Sequence, residues 1–296
     1  MSAQAYSLDV TQVRRAFDRA ADAQPDPAAL QREVERRMAE RLDYIRIEPR
    51  HVLDAGCGAG DGLALLRRRY PGAELLGVDL SRGMVRVAAR SGSLAQRALR
   101  LLGGAARHCL CADFARLPLR SGSVDMVWSN LALAWAMDPL AALREFHRVV
   151  AADGLLMFSS YGPDTLKELR AAFATGSREH HVHEFVDMHD LGDMLIESGF
   201  AAPVMDMEVI TLTYADVDAL VRDLRSSGQT CAASDRLRGL TGRAAWRRMR
   251  GAYETERKNG KLPATVEVIY GHAWKGAPRV AAGGPQVVKW ATKVGP

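Results

Sequence analysis

Val52-Leu53-Asp54-Ala55-Gly56-Cys57-Gly58-Ala59-Gly60 ends an apolar run in an acid and opens into alternating glycines. A second apolar run then closes on another acid, in Val78-Asp79-Leu80. The spacing predicts a strand, a tight turn and a helix, followed by a second strand whose carboxylate faces the same crevice. Glycine serves where the backbone approaches a ligand closely or takes a positive φ. Unpaired N–H groups at the start of the following helix suit the polar groups of a nucleoside. Asp79 is placed to accept hydrogen bonds from ribose hydroxyls.

The dinucleotide pattern G-x-G-x-x-G/A does not fit. The sixth position counted from Gly56 is Asp61, and from Gly58 it is Leu63. The form present, with Asp54 ahead of Gly56, Gly58 and Gly60, resembles the first motif of class I methyltransferases. Those enzymes use S-adenosylmethionine and release S-adenosylhomocysteine, so the resemblance implies a methionine ammonium for an acid to neutralise and no phosphates. It puts cofactor contacts on Asp54, Ala55, Gly56, Cys57, Gly58 and Gly60, on Asp79, Leu80 and Met84, and on Asp113, Phe114 and Asn130. Asp113 would bond the adenine amino group. A bland alternative has the glycines making only a tight turn in an unrelated α/β protein; the paired acid Asp79 argues against it.

Such residues need an α/β scaffold to hold them. Short apolar runs near 51–55, 74–79, 107–112, 124–129 and 154–160 alternate with helical patterns near 61–69, 83–100 and 138–150. That alternation predicts a mostly parallel, Rossmann-like sheet of seven strands with helices on both faces and the last strand antiparallel. Further helices are expected from Pro163 and over 189–198, closed by Gly199. The last two strands fit 204–214 and 265–274. This divides the chain into an N-terminal helical segment (1–48) over the active site and a core (49–214 with 263–275). A helical lid insertion (215–262) and a mobile tail (276–296) complete it.

The 296 residues, 48% hydrophobic, can bury one large core. The absence of an eighteen-residue apolar run speaks against a membrane span, and the first ten residues lack a secretion-signal core. Cys57, Cys109, Cys111 and Cys231 show no framework spacing, so reduced thiols in a cytoplasm are expected. Cys109 and Cys111 read as strand packing. The histidines 180, 181, 183 and 189 follow a Gly-Ser-Arg loop and lack a convincing carboxylate partner at ligand spacing, and no metal is expected. The net charge of +5 is local. Between Arg236 and Lys261 nine Lys/Arg face only Glu254 and Glu256. With few aromatics interleaved, that run does not suggest nucleic acid. It is either a solvated face or a surface for an acidic partner.

A closer resemblance rests on several motifs: Phe17-Asp18-Arg19, Leu30-Gln31-Arg32-Glu33-Val34, Ser129-Asn130-Leu131-Ala132-Leu133-Ala134-Trp135, Gly162-Pro163-Asp164-Thr165-Leu166, Val182-His183-Glu184-Phe185 and Gly239-Leu240-Thr241-Gly242-Arg243. From about residue 12 to 274 the chain resembles the malonyl-acyl-carrier-protein O-methyltransferases of biotin synthesis. The resemblance implies esterification of the free carboxyl of a malonyl thioester borne by an acidic acyl carrier protein. Where that family carries a Tyr-Asp pair thought to enclose the cofactor, this chain has Gln24 and Pro25. Two other classes stay open: methyltransferase-like assembly factors linked to arginine hydroxylation, and non-catalytic S-adenosylmethionine-binding regulators.

The absence of an Asn/Asp-Pro-Pro box after the fourth strand argues against an amino-nitrogen target; Asn130 there serves the ligand or caps a turn. A carboxylate with an ordinary pKa of about 4 is already ionised at pH 7 and needs no base. It does call for a cation to hold its far oxygen, for which arginine is the natural choice. Arg222 and Arg243 are the catalytic candidates, beside Arg14, Arg15 and Arg225. Tyr161 is expected as a wall of the substrate pocket, or as packing.

Overall fold

The computed structural model describes residues 7–22, 29–91, 107–175, 180–239 and 241–276. Seven strands form one sheet: β1 (His51–Ala55), β2 (Glu74–Asp79), β3 (Arg107–Cys111), β4 (Val124–Ser129), β5 (Val150–Tyr161), β6 (Ala201–Tyr214) and β7 (Leu262–Trp274). Their order is β3-β2-β1-β4-β5-β7-β6. The first five pair in parallel, and β7 runs antiparallel between β5 and β6. Among the described residues the helices are α1 (Val10–Ala21), α2 (Ala29–Arg41), α3 (Asp61–Arg69), α4 (Arg82–Arg90), α5 (Pro139–Val149), α6 (Lys167–Ala174), α7 (Met188–Glu197), α8 (Val217–Ser226) and α9 (Arg243–Glu254).

Both faces of the sheet are covered, as the period-2 side-chain alternation of strands requires. Leu53, Val127, Leu156 and Phe158 point to one face, where Phe146 of α5 and Leu191 and Leu195 of α7 meet them. Their neighbours Val52, Met126, Trp128, Leu155 and Met157 point to the other, against Val34 and Met38 of α2 and Leu63 and Leu66 of α3. A third cluster lies beyond the ends of β6 and β7, where Met249 and Tyr253 of α9 pack with Leu220 of α8 and Leu169 of α6.

Several boundaries differ from the sequence reading. The helix expected from Pro163 begins at Lys167. Glu267 accepts the Asp164 N–H at 2.7 Å, and the Glu267 N–H donates to Thr165 Oγ1 at 3.1 Å, so this turn is held out of helical geometry. α4 is described to Arg90, and the rest of the helix expected over 83–100 lies outside the described residues, as do Gln24, Pro25 and the tail beyond Gly276.

Candidate active site

The β1–α3 turn is shaped by glycine. Gly56 has φ +82°, and a Cβ there would overlap the Cβ of Ala132, so the loop closes against the end of β4 only without a side chain. The N–H groups of Gly56 and Cys57 both reach the Val78 carbonyl, at 2.7 and 3.0 Å, which ties the turn to β2. Asp79 completes that tie: one carboxylate oxygen accepts from Gly58 N (2.9 Å) and the other from Ser81 N (2.8 Å). Each oxygen retains a lone pair for a ligand. Burial pushes the Asp79 carboxyl up to about 6, against the two N–H bonds that lower it; nearby Asp18 raises it further.

A cavity of about 510 Å³ opens over this turn at the carboxyl ends of β1, β2 and β4. This is where ligands sit in open α/β sheets. Of the expected cofactor residues, Asp54, Gly56, Cys57, Gly58, Asp79, Leu80, Met84, Asp113, Phe114 and Asn130 line it. Ala55 and Gly60 do not. Ala55 is buried in the strand, its carbonyl accepting from Ser129 Oγ at 2.8 Å, and Gly60 has φ +90° and caps α3.

Helices α1 and α2 form the cover. α1 starts where Asp9 N–H donates to the Ala232 carbonyl at 2.8 Å. It is latched to α4 through Asp18, and Phe17 meets the Trp135 ring edge-on at 5.2 Å. α2 is fixed by Asn130, whose amide nitrogen donates to the Gln31 carbonyl at 2.9 Å, and by Trp128, whose indole N–H donates to Glu35 at 3.1 Å. Asn130 itself accepts from Ser159 Oγ at 2.8 Å. It therefore anchors α2 and lines the cavity at once.

Sequence reasoning missed Glu35. It is 5% exposed and lines the cavity with Asp54, which is 2% exposed. A Cβ on Gly62 would strike both Glu35 Oε1 and Asp54 Oδ2, so two carboxylates stand side by side against the first turn of α3. Burial pushes Glu35 up to about 7; the Trp128 bond lowers it, Asp61 raises it and Arg68 lowers it. Its only signal was an acid in an otherwise apolar stripe of α2, flanked by Val34 and Met38.

The structure places the candidate arginines away from the cavity. Among the described residues no Lys, Arg or His lines the cavity, whereas Glu35, Asp54, Asp61, Asp79, Asp113 and Asp138 do. Arg222 on α8 and Arg243 on α9 are exposed, as are Arg14, Arg15 and Arg225. Apolar anchors of each helix turn inward instead, Leu220 on α8 and Met249 on α9. Tyr161 is buried and lines a second, adjoining cavity of about 250 Å³; its hydroxyl donates to Gln229 Oε1 at 2.8 Å. The histidines go to separate partners: His180 to Asp235 and Glu184, His181 to the Phe173 ring, His183 to the Trp135 ring, and His189 to Asp187.

The sheet order, the glycine turn and the acidic crevice define a class I methyltransferase. A profile described as a methyltransferase domain matches residues 53–158. The fold resembles that of the YcgJ protein from Bacillus subtilis with a TM-score of 0.56, at 17% identity over 81% of this chain and 98% of that one. Nearer relatives narrow the class. The malonyl-acyl-carrier-protein O-methyltransferase of Laribacter hongkongensis is 54% identical over 93% of both chains. That of Gallionella capsiferriformans is 48% identical over 98% of this chain and 99% of its own. The chain belongs to the malonyl-acyl-carrier-protein O-methyltransferase family. Among the described residues no helix is long and apolar enough to cross a membrane.

Proposed function

We propose that the chain transfers the methyl group of S-adenosylmethionine to the free carboxylate of a malonyl thioester on an acidic acyl carrier protein, in the cytoplasm, as an early step of biotin synthesis. The observation that carries this reading is one cavity uniting Asp54, the Gly56–Gly58 turn, Asp79, Asp113 and Asn130 under two helices that bear the family motifs. The residues fit the cofactor: a cationic amino-acid end suits the Glu35–Asp54 carboxylates, and a ribose diol suits the outward lone pairs of Asp79. When bound, the cofactor supplies an electrophilic methyl on a positively charged sulfur.

The chain's own residues do the rest by placement. Asp79 would accept from the ribose hydroxyls and Asp113 from the adenine amino group, and Phe114 would pack beside the base. The Phe17–Trp135 pair and the apolar face of α1 exclude water, which strengthens every charge interaction inside. No residue need act as a base, because the nucleophile is already an anion. Nor is a guanidinium required in a cavity whose bound cofactor is itself a cation attracting the carboxylate. Neutral amides of Gln31 and Gln229 orient it there. Alignment of oxygen, methyl and sulfur is then the main source of rate.

The test is product analysis. A malonyl thioester should gain 14 Da, removable by mild ester hydrolysis, while an acetyl thioester, having no free carboxylate, gains nothing. A base-stable product would place the methyl on carbon or nitrogen and overturn the assignment.

A further inference from the structure

The second cavity adjoins the first, and Gln31, Ser227 and Gln229 line both. Its walls do not belong to the cofactor motifs. Thr165 and Leu166, from the Gly162–Leu166 motif, form one side; Leu220, Asp223 and Leu224 of α8 form the other. The motif is held firmly in place. Thr165 Oγ1 donates to the Glu267 carbonyl at 3.0 Å, Leu166 N–H donates to the Thr265 carbonyl at 2.7 Å, and Leu166 sits at φ +55°. A non-glycine residue in that region costs free energy and persists where surrounding contacts impose it, commonly beside a functional site. The lining is therefore mixed, with leucine walls and amide and hydroxyl groups at intervals.

One atom in it points to a ligand. Gln31 Oε1 is buried without a hydrogen-bond partner. Burying an acceptor unpaired is costly, so such an atom calls for a donor from outside the chain. Tyr161 fixes the neighbouring Gln229 amide through its oxygen, so the seam between the cavities is a pair of glutamines.

We propose that the second cavity is the binding site for the phosphopantetheine arm of the carrier. Gln31 Oε1 accepts an amide N–H of the arm, and the leucines pack its alkyl portions. The malonyl end then crosses the glutamine seam into the first cavity. This rests on the proposed malonyl thioester substrate, and it assigns the cavity an amide-bearing chain rather than a second nucleotide or lipid.

Pantetheine carrying no malonyl group is the direct probe. Calorimetry on the full chain should show saturable binding that adenosylhomocysteine does not displace. Gln31→Leu, which keeps the side chain's bulk, and Leu224→Trp, which fills the cavity, should each weaken it tenfold or more. Unchanged melting temperature and adenosylhomocysteine affinity would establish that each variant is folded. In catalysis, the ratio of KM for the malonyl pantetheine thioester to KM for the malonyl S-methyl thioester should rise by the same factor. No saturable pantetheine binding, unchanged binding in both variants, or equal KM for the two thioesters in the parent chain would overturn the proposal. Those results are distinguishable from failure of the proposed reaction, in which pantetheine binds but neither thioester is methylated.

Discussion

Asp18 Oδ1 accepts two hydrogen bonds from the start of α4, one from Ser81 Oγ at 2.7 Å and one from the Gly83 N–H at 2.9 Å. Ser81 Oγ in turn accepts from the Met84 N–H at 3.1 Å and so caps the helix. One carboxylate thus joins the covering helix α1 to the loop that follows Asp79. Burial raises the Asp18 pKa, but the Gly83 and Ser81 bonds outweigh it and hold the group below its usual range. The latch is an ionised acceptor at neutral pH.

Asp18→Ala should therefore loosen α1. Losing a partner for two donors costs about 1–3 kcal/mol, read as a lower melting temperature. Adenosylhomocysteine should bind several-fold more weakly, since α1 supplies Val10, Val13, Phe17, Ala20 and Ala21 to the cavity wall. Asp18→Asn, which keeps an oxygen acceptor, should recover most of both. Full affinity in Asp18→Ala would mean that α1 is held by its other contacts alone.

Asp79→Ala removes the ribose acceptor and the tie to Gly58 and Ser81 together. S-adenosylmethionine and S-adenosylhomocysteine should each lose about 2 kcal/mol or more, roughly thirtyfold in affinity. Calorimetry showing parent-like affinity, or tighter binding of NAD than of adenosylmethionine, would remove the basis for the cofactor assignment.

Glu35 gives a pH-dependent signature with a defined sign. Its folded pKa of about 7 lies above the ordinary 4.5, so the folded chain binds a proton more tightly than the unfolded one. The stability this contributes is fully present below about 4.5 and is lost as pH rises through about 7. A cationic ligand beside Glu35 and Asp54 favours the ionised form, so cofactor affinity should rise over the same interval with release of a proton. Glu35→Gln should flatten both slopes. Calorimetry in buffers of different ionisation enthalpy, from pH 6 to 8, would detect the proton, and an unaltered release in Glu35→Gln would assign it elsewhere.

The cofactor half of the site was legible because it is local. Gly56, Gly58 and Asp79 sit on one strand-turn-helix-strand unit, where spacing fixes geometry. Glu35 and Gln31 were not legible as site residues. They lie on α2 and reach the cavity only through long-range contacts to Trp128 and Asn130, 93 and 99 residues away in sequence. The placement of the arginines was not legible for a related reason. Charge on α8 and α9 is visible in sequence, but the direction each helix turns is decided by the packing of Leu220, Met249 and Tyr253. The expected helix start at Pro163 was missed because Glu267, 103 residues beyond Asp164, holds that turn.

The basic face of α9 remains the place to seek the carrier's body. Met249 and Tyr253 bury one side of the helix and Trp246 packs near Phe173, leaving Arg243, Arg247 and Arg248 exposed on the other. Arg250 is different: it pairs with Asp218 at the start of α8 at 2.9 Å, so reversing it would disturb the fold as well as the surface. Charge reversal at Arg243 and Arg247 avoids that pair. If an acidic carrier is steered by this face, the double variant should raise KM for the malonyl carrier protein severalfold, with kcat little altered, because rim charges act on encounter more than on chemistry. The effect should fade as salt rises, since screening shortens the field to about 8 Å at physiological ionic strength. Malonyl pantetheine, which has no acidic protein body, supplies the control. Equal losses on carrier and pantetheine substrates would put these arginines in the pocket or the folding core, and no loss on either would leave them a solvated face.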